Sequence, residues 1–258
     1  MSQMSFAPPF HSPAHVQAQI RDHGFAVLQP SDVALWLGTT LAELHQMDAD
    51  WSALPADEFL RDGGRYRYRR HSCFVVEQGV LRQVAHRAHW QPVEYNALHG
   101  GMQRMFAPMQ QATMALPVWQ QLVEQLAALS SALFDHAAPV PGPCYVEAHQ
   151  FRIDTANGIG RPTPEGAHRD GVDLVAVFLV NRAQIKGGET RVFEARGPAG
   201  QRFTLTEPWS LMLLDDARMI HESTPIQPLQ DGGVRDTLVV TCRRGGFQGD
   251  NAEQSLQD

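Results

Sequence analysis

Residues 167–181 read AHRDGVDLVAVFLVN and join a polar turn to an apolar strand. The second part of this stretch, residues 174–181, is rich in valine and leucine, which is typical of a buried β-strand. His168 and Asp170 stand just before it, spaced i and i+2, so an extended backbone would point both side chains to the same side. The stretch therefore predicts a buried sheet with an imidazole and a carboxylate close to its edge.

Outward from this strand, the second half of the chain alternates short predicted strands with glycine and proline turns. The predicted strands cover residues 145–153, 174–181, 190–194, 201–205, 210–214 and 235–243. The first half is more helical, with a leucine stripe over residues 118–136 and one predicted strand over residues 66–76. Helices followed by many short strands predict an α+β fold whose C-terminal half is a β-barrel or a jelly roll.

The composition limits the kinds of partner. Hydrophobic residues make up 43% of the chain, and 21 Lys+Arg against 28 Asp+Glu give a formal charge of −7. The negative charge argues against nucleic acid and against an anionic membrane as a partner, and no apolar run is long enough to span a bilayer. Three scattered cysteines and no visible secretion signal indicate the reducing cytoplasm. We therefore expect a small-molecule partner, and leave open assembly into a homo-oligomer.

Three residues of the second half form a candidate metal-ligand set. His221 follows another apolar strand, and together with His168 and Asp170 it makes two imidazoles and one carboxylate. Such a set leaves three coordination positions open and is typical of non-haem Fe(II) sites that use O₂. Further along, Arg235 and Thr237 share one face of a predicted strand, and a guanidinium fork beside a hydroxyl is suited to holding a carboxylate.

In this order, the motifs resemble those of the Fe(II)/2-oxoglutarate-dependent dioxygenases. The resemblance is carried by PEGAHRDG at 164–171, GGET at 187–190, HESTPI at 221–226 and RDTLVVT at 235–241. More narrowly, these segments are similar to bacterial free L-amino-acid hydroxylases of the L-isoleucine 4-hydroxylase type. The similarity covers residues 145–243, roughly the second half of the chain.

The resemblance implies a fold, a set of cofactors and a reaction. The fold is a double-stranded β-helix, the jelly roll of the cupin type, with helices from the N-terminal half. His168, Asp170 and His221 would hold Fe(II), and Arg235 and Thr237 would bind the co-substrate 2-oxoglutarate. With O₂, the enzyme would hydroxylate a C–H bond of a small molecule, a free L-amino acid, and release succinate and CO₂.

We expect residues 1–258 to form a single dioxygenase domain. In this division, residues 1–140 give mostly helical support with some strands, residues 141–244 form the jelly-roll core with the metal site, and residues 245–258 form a disordered tail. The basic segment around Arg67 and Arg69 is interpreted as a solvated strand face, and the histidines of the first half as surface or packing residues.

The strand over residues 145–153 allows two interpretations. Glu147 and His149 share one face and are a rival ligand pair, whereas Gln150 and Arg152 share the other face. We expect Gln150 and Arg152 to contact the substrate and His149 to be a hydrogen-bonded histidine of the core.

Two alternative functions also stay open at this point. One is a non-catalytic metal-binding jelly-roll protein that acts in stress or biofilm regulation. The other is a zinc-dependent hydrolase that uses the same ligands. The pair Arg235 and Thr237 argues against both alternatives, because neither function needs a carboxylate anchor beside the metal.

Overall fold

The computed structural model describes residues 6–134 and 142–250 of the chain. Within those residues, none of the helices combines the length and the apolar character that crossing a bilayer requires. The helical elements lie mainly in the first half. They are a 3-10 helix (Pro13–His15), α1 (Val16–His23), α2 (Pro30–Leu37), α3 (Leu41–Leu44), a second 3-10 helix (His45–Ala53), α4 (Gln111–Met114) and α5 (Pro117–Phe134).

Antiparallel strands dominate the architecture. The strands are β1 (Phe25–Leu28), β2 (Arg67–Glu77), β3 (Val80–Gln83), β4 (Cys144–Asp154), β5 (Leu174–Ala183), β6 (Ile185–Gly187), β7 (Thr190–Glu194), β8 (Gly200–Phe203), β9 (Ser210–Asp215), β10 (Met219–Ser223), β11 (Ile226–Pro228) and β12 (Val234–Arg244). A seven-stranded sheet runs in the order β1-β9-β5-β12-β4-β2-β3. Two smaller sheets, β10-β7-β8 and β11-β6, complete the β structure of the described residues.

The large sheet has two faces of different character because successive side chains of a strand alternate. On its outer face, Ala176, Phe178 and Leu238 belong to a core that the sheet shares with the helices. The longest helix, α5, contributes the fully buried Trp119 and Leu122 to that core. The leucine stripe therefore predicted this helix correctly up to Phe134, and the remainder of the predicted range lies outside the described residues.

The inner face of the large sheet covers a second apolar cluster and a polar cavity. Val177 and Met212 of the large sheet pack with Val192 and Phe203 of the three-stranded sheet. Farther along the same face, β2, β4 and β12 line the cavity with many polar side chains and a few apolar ones. The fold is thus the expected α+β jelly-roll arrangement, with the cavity between the large sheet and the small ones.

The structure adds detail to the expected division of the chain and differs from it at the C-terminal end. The first half supplies three strands of the large sheet, and β2 pairs with β4 along its length, so it builds the cavity as well as supporting it. The segment expected to be a disordered tail is ordered as far as residue 250. Phe247 and Gln248 are buried there because they pack against β4 and the 170–171 turn. Residues 251–258 lie outside the described part.

Candidate metal centre and active-site cavity

The structure brings His168, Asp170 and His221 together at one end of the cavity. Nε2 of His168 lies 3.7 Å from Oδ1 of Asp170, and Nε2 of His221 lies 3.8 Å from Oδ2. These separations exceed hydrogen-bond length and suit ligand atoms that share one ion. The other ring nitrogen of His168, Nδ1, lies 2.9 Å from the carbonyl oxygen of Gly166, which can accept its proton and leave Nε2 free to bind a metal.

The electrostatics of His221 and Asp170 also suit a metal, whereas the pKa of His168, which burial alone would lower, is raised by the carboxylates of Asp170 and Glu165. Burial, together with the neighbouring His168, lowers the pKa of His221 well below its usual range, so this imidazole is neutral. A neutral imidazole is the form that binds a metal ion. Burial raises the pKa of the Asp170 carboxyl, which means that an isolated carboxylate is costly here. A cation held between these three groups would remove that cost.

The turn that carries Asp170 is fixed by hydrogen bonds to two side chains and by a glycine whose conformation it requires. The carboxylate of Asp216 accepts hydrogen bonds from the backbone N–H groups of Asp170, Gly171 and Val172, at 2.9, 2.7 and 3.1 Å. Gln248 donates to the carbonyl oxygens of Asp170 and Gly171. Gly171 has a φ of +77°, and a Cβ there would lie 2.5 Å from the ring of Tyr95, so only glycine fits this turn.

Arg235 and Thr237 line the same cavity from β12. Arg235 is 5% exposed, and no carboxylate of the described residues forms an ion pair with it. Burial, with a smaller effect of the Arg182 charge, lowers the pKa of Arg235 to about 10, so the guanidinium stays charged at neutral pH. A buried cation without a partner fits an anion that enters the cavity.

The register of β2, β4 and β12 arranges the cavity wall in rows. Ile153 of β4 lies between Arg67 of β2 and Arg235 of β12. In the next row, Phe151 lies between Arg69 and Thr237. Ile153 and Phe151 thus form an apolar strip on β4. Arginines lie on both sides of this strip, on β2 and on β12, and these two strands do not pair with each other.

Glu147 lies farther along β4, in a group of buried histidines. Its Oε2 atom lies 2.9 Å from Nε2 of His71 and 2.7 Å from Nδ1 of His89, so it accepts a hydrogen bond from each. Burial alone would raise the pKa of Glu147, but His89 and His71 hold it below its usual range. Burial also lowers the pKa of His89 to about 4 and keeps this ring neutral.

The rival ligand pair, Glu147 and His149, belongs to this group. His71, His89, Glu147 and His149 are a second set whose donor atoms are close enough to hold an ion. However, the contacts of Glu147 have hydrogen-bond length, and Arg69 lies 2.7 Å from Nδ1 of His149 and donates to it. The donor atoms are thus already paired, and the guanidinium opposes a second cation. We interpret the group as a hydrogen-bond network.

The two expected substrate contacts lie on the outer face of β4, away from the cavity. The side chains of Gln150 and Arg152 project from even positions of the strand, and neither of them lines the cavity. Arg152 donates to both carboxylate oxygens of Asp236 at 2.8 Å, and Gln150 donates to Asp50 at 3.0 Å. This corrects the choice of face, since the odd positions 147, 149, 151 and 153 are the ones that line the cavity.

Several residues that line the cavity were not among the predicted site residues. Arg67 and Arg69 are 5% and 4% exposed, so the basic segment is not a solvated face. Arg67, Arg69 and His71 occupy alternate positions of the strand, and this pattern could have predicted that they share one polar face. Arg104 and Glu165 come from irregular segments, which show no periodicity in the sequence.

An antiparallel jelly roll with a His/Asp/His set and a buried arginine in one cavity defines the class of non-haem iron oxygenases that use a 2-oxo acid. The family model of the 2OG-Fe dioxygenases matches residues 48–241. The chain belongs to that family. No curated protein matches the chain.

The chain is also similar to solved structures. A bsmA homologue from Methylobium petroleophilum PM1 is 49% identical over 96% of this chain and 99% of its own, with a TM-score of 0.87. IDO from Bacillus thuringiensis is 20% identical over 91% of this chain and 100% of its own, with a TM-score of 0.73. The Fe(II)/(alpha)ketoglutarate-dependent dioxygenase TqaL is 17% identical over 92% of this chain and 88% of its own, with a TM-score of 0.69. The last two show a similar fold.

Family membership confirms the expected fold, cofactors and enzyme class. The protein is an oxidoreductase that uses Fe(II), 2-oxoglutarate and O₂. The candidate site for the iron is the set His168, Asp170 and His221.

Proposed function

We propose that this oxygenase hydroxylates a C–H bond of a free L-amino acid in the cavity and releases succinate and CO₂. The observation that carries the proposal is that the His/Asp/His set, the unpaired Arg235 and a wall with ionisable groups of both signs line one cavity. The cavity is enclosed between sheets, which suits a small molecule better than a polymer.

In this proposal His168, Asp170 and His221 hold the iron. Bound Fe(II) together with 2-oxoglutarate supplies the activation of O₂. The chain positions the ligands: Asp216 and Gln248 fix the turn that carries Asp170, and Gln91 donates to Oδ1 of Asp170 at 3.2 Å. Such supporting hydrogen bonds orient the ligand atoms before the metal arrives.

Arg235 and Thr237 are proposed to bind the distal carboxylate of 2-oxoglutarate. A guanidinium presents two N–H groups in the geometry of a carboxylate, and the neighbouring hydroxyl adds a third donor. Val177 and Met212 line the cavity near this part of β12 and keep water away from the co-substrate.

The charged groups that line the cavity support a zwitterionic substrate. Arg67, Arg69 and Arg104 bring positive charge to the cavity, and Glu165 brings a carboxylate. Oε1 of Glu165 lies 3.5 Å from Nε2 of His168, and Oε2 is buried without a partner. An ammonium group beside Glu165 would therefore satisfy this atom close to the metal. We also propose one domain, because strands of both halves build the cavity.

The test is aerobic incubation of the protein with Fe(II), 2-oxoglutarate, ascorbate and each proteinogenic L-amino acid. Mass spectrometry should detect succinate and one amino acid that has gained one oxygen. His168→Ala should lose both products and the iron measured by elemental analysis, whereas the exposed His15→Ala should retain all three. Succinate without an oxidised amino acid would remove the substrate class, and full activity of His168→Ala would remove the metal assignment.

A further inference from the structure

Three arginines crowd one wall of the cavity. Arg67, Arg69 and Arg104 are 5%, 4% and 2% exposed, and all three line the cavity. Arg67 and Arg69 alternate on the inner face of β2, while an isolated β-bridge to His89 holds the segment of Arg104. Burying three like charges side by side is costly unless anions compensate for them.

Arg67 and Arg69 have local compensation. Nε of Arg67 donates to the carboxylate of Asp57 at 2.7 Å, and Nη1 of Arg69 lies 3.9 Å from the same oxygen. The guanidinium of Arg69 also lies between two aromatic rings, 3.7 Å from the centroid of Phe106 and 4.3 Å from that of Phe151. Cation–π contacts of this kind fix its position as well as stabilising its charge.

Arg104 has no carboxylate partner among the described residues. The one hydrogen bond of its side chain to the described residues runs from Nη2 to the amide oxygen of Gln91 at 3.1 Å, and Nε is buried without a partner. Three carboxylates act on Arg104 through space, and each has closer contacts of its own: Asp57 pairs with Arg67, Glu147 accepts from two histidines, and Glu165 lies 3.5 Å from Nε2 of His168. None of them forms an ion pair with Arg104, so its buried guanidinium has no direct negative partner among the described residues.

We propose that Arg104, together with Arg67 and Arg69, binds the carboxylate of the substrate, and that Arg104 determines the specificity for carboxylate-bearing substrates. The proposal rests on the proposed function and adds the site at which that substrate is recognised. A single carboxylate would give the unpaired Arg104 one negative partner, whereas a phosphate dianion would bring a second negative charge into a buried place.

The site is separate from the anchor proposed for 2-oxoglutarate. Arg67 and Arg235 stand in the same row of the sheet with one strand between them, which places their Cα atoms roughly 10 Å apart. The Arg67 guanidinium is held by Asp57, whereas the Arg235 side chain passes beside Gly188, so the two side chains lie in different surroundings. The proposal is that each binds its own carboxylate, one at each side of the apolar strip.

The experiment uses the full chain, loaded anaerobically with Fe(II) and 2-oxoglutarate, and measures the Tm as probes are added. The probes are the proteinogenic L-amino acids, the amines that lack their carboxylate, and inorganic phosphate. At least one amino acid should raise the Tm, and its matched amine and phosphate should not. Arg104→Met should weaken the binding of that amino acid by about 10- to 150-fold, the range expected for a hydrogen bond to a charged group.

Three controls make the result specific. Arg104→Lys should recover only part of the affinity, because a point charge does not reproduce the fork, and it serves as the test if the Met variant does not fold. The exposed Arg82→Met should bind like the wild type. The affinity for 2-oxoglutarate, titrated separately, should be unchanged in Arg104→Met. Without any probe, Arg104→Met should have a higher Tm than the wild type, because a buried unpaired charge is gone.

The outcomes separate this inference from the proposed function. If amines bind as well as amino acids, if no amino acid binds, or if Arg104→Met and Arg104→Lys keep wild-type affinity, the carboxylate site is overturned even where succinate is formed. If amino acids bind through Arg104 but no succinate appears, the site stands and the proposed oxygenase reaction fails.

Discussion

The backbones of His168 and His221 exchange two hydrogen bonds, of 3.0 Å from His168 N to His221 O and 2.9 Å in the opposite direction. The two imidazole rings, whose centroids lie 4.6 Å apart, are therefore brought together by main-chain pairing. Replacing either side chain leaves this pairing intact. A His→Ala variant should consequently lose the metal while keeping the fold, which makes such variants clean tests of ligation.

Asp216 should control iron affinity although it is not one of the three candidate ligands. Asp216→Asn replaces one acceptor oxygen with an N–H₂ group that faces the backbone donors of the 170–172 turn. We expect iron affinity to fall by about 10- to 100-fold, the usual effect of losing support behind a ligand. Competition with a metal chelator measures it, and Asp215→Asn, at the neighbouring position that does not touch this turn, is the matched control. Equal iron affinity in both variants would contradict the prediction.

Arg235→Ala should weaken the binding of 2-oxoglutarate by about 10- to 150-fold, since a hydrogen bond to a charged group contributes about 1.5–3 kcal/mol. Arg235→Lys should restore part of this loss. Arg243, on the same strand, donates to Gly246 instead, so Arg243→Ala should bind normally. Calorimetric titration of the anaerobic, metal-loaded protein gives the three affinities. Wild-type affinity in Arg235→Ala would remove the anchor role.

Arg152→Ala should change stability and leave substrate affinity unchanged. The side chain of Asp236 is 2% exposed, so removing its partner leaves a buried carboxylate with fewer donors. We expect the free energy of unfolding to fall by about 1–3 kcal/mol, measured by urea denaturation. The KM for the amino acid that proves to be the substrate should stay at the wild-type value. A raised KM in a stably folded variant would return Arg152 to the substrate site.

Stability should fall in mild acid because of His89. Its pKa is lowered to about 4 by burial, whereas an unfolded histidine titrates near 6.5. Between pH 6.5 and 4 the unfolded chain therefore takes up a proton that the folded ring does not. For each unit by which the pH is lowered in this range, the free energy of unfolding should fall by about 1.4 kcal/mol because of His89. The stabilisation by the neutral His89 is fully present above pH 6.5.

The comparison of wild type with His89→Gln isolates this effect. Glutamine can still donate to Glu147 but does not titrate, so its urea midpoint should depend less on pH between 6.5 and 4 than that of the wild type. The exposed His15→Gln should follow the wild-type profile. Parallel profiles for wild type and His89→Gln would show that the buried ring is not the cause.

The metal trio could be predicted from the sequence because its signals are local and ordered. His168 and Asp170 share a side at i and i+2, and Arg235 and Thr237 share a strand face in the same way. Each pattern lies beside an apolar strand that fixes which side is buried. Alternation placed the members of each pair together, and the order of His168, Asp170, His221, Arg235 and Thr237, with the family resemblance it carries, joined them into one candidate site.

The face of β4 could not be chosen on the same grounds. Its inner face mixes Glu147 and His149 with Phe151, and its outer face ends in Gln150 and Arg152, so both faces carry polar and charged groups. The deciding facts are contacts over long sequence separations, such as the pairing of Arg152 with Asp236. Arg104 was missed for a related reason: its position depends on a single bridge in an irregular segment.

Among the described residues, Gln248 is the last in the chain to support the turn that carries Asp170, since its amide donates to the carbonyl oxygens of Asp170 and Gly171. During synthesis a chain emerges from its N-terminus, and long-range partners become available only when they have left the ribosome. The sheet can close once β12 has emerged, but the turn carrying Asp170 lacks this support until residue 248 follows. We therefore expect the candidate iron site to be completed late in biogenesis, after the folding of the sheet.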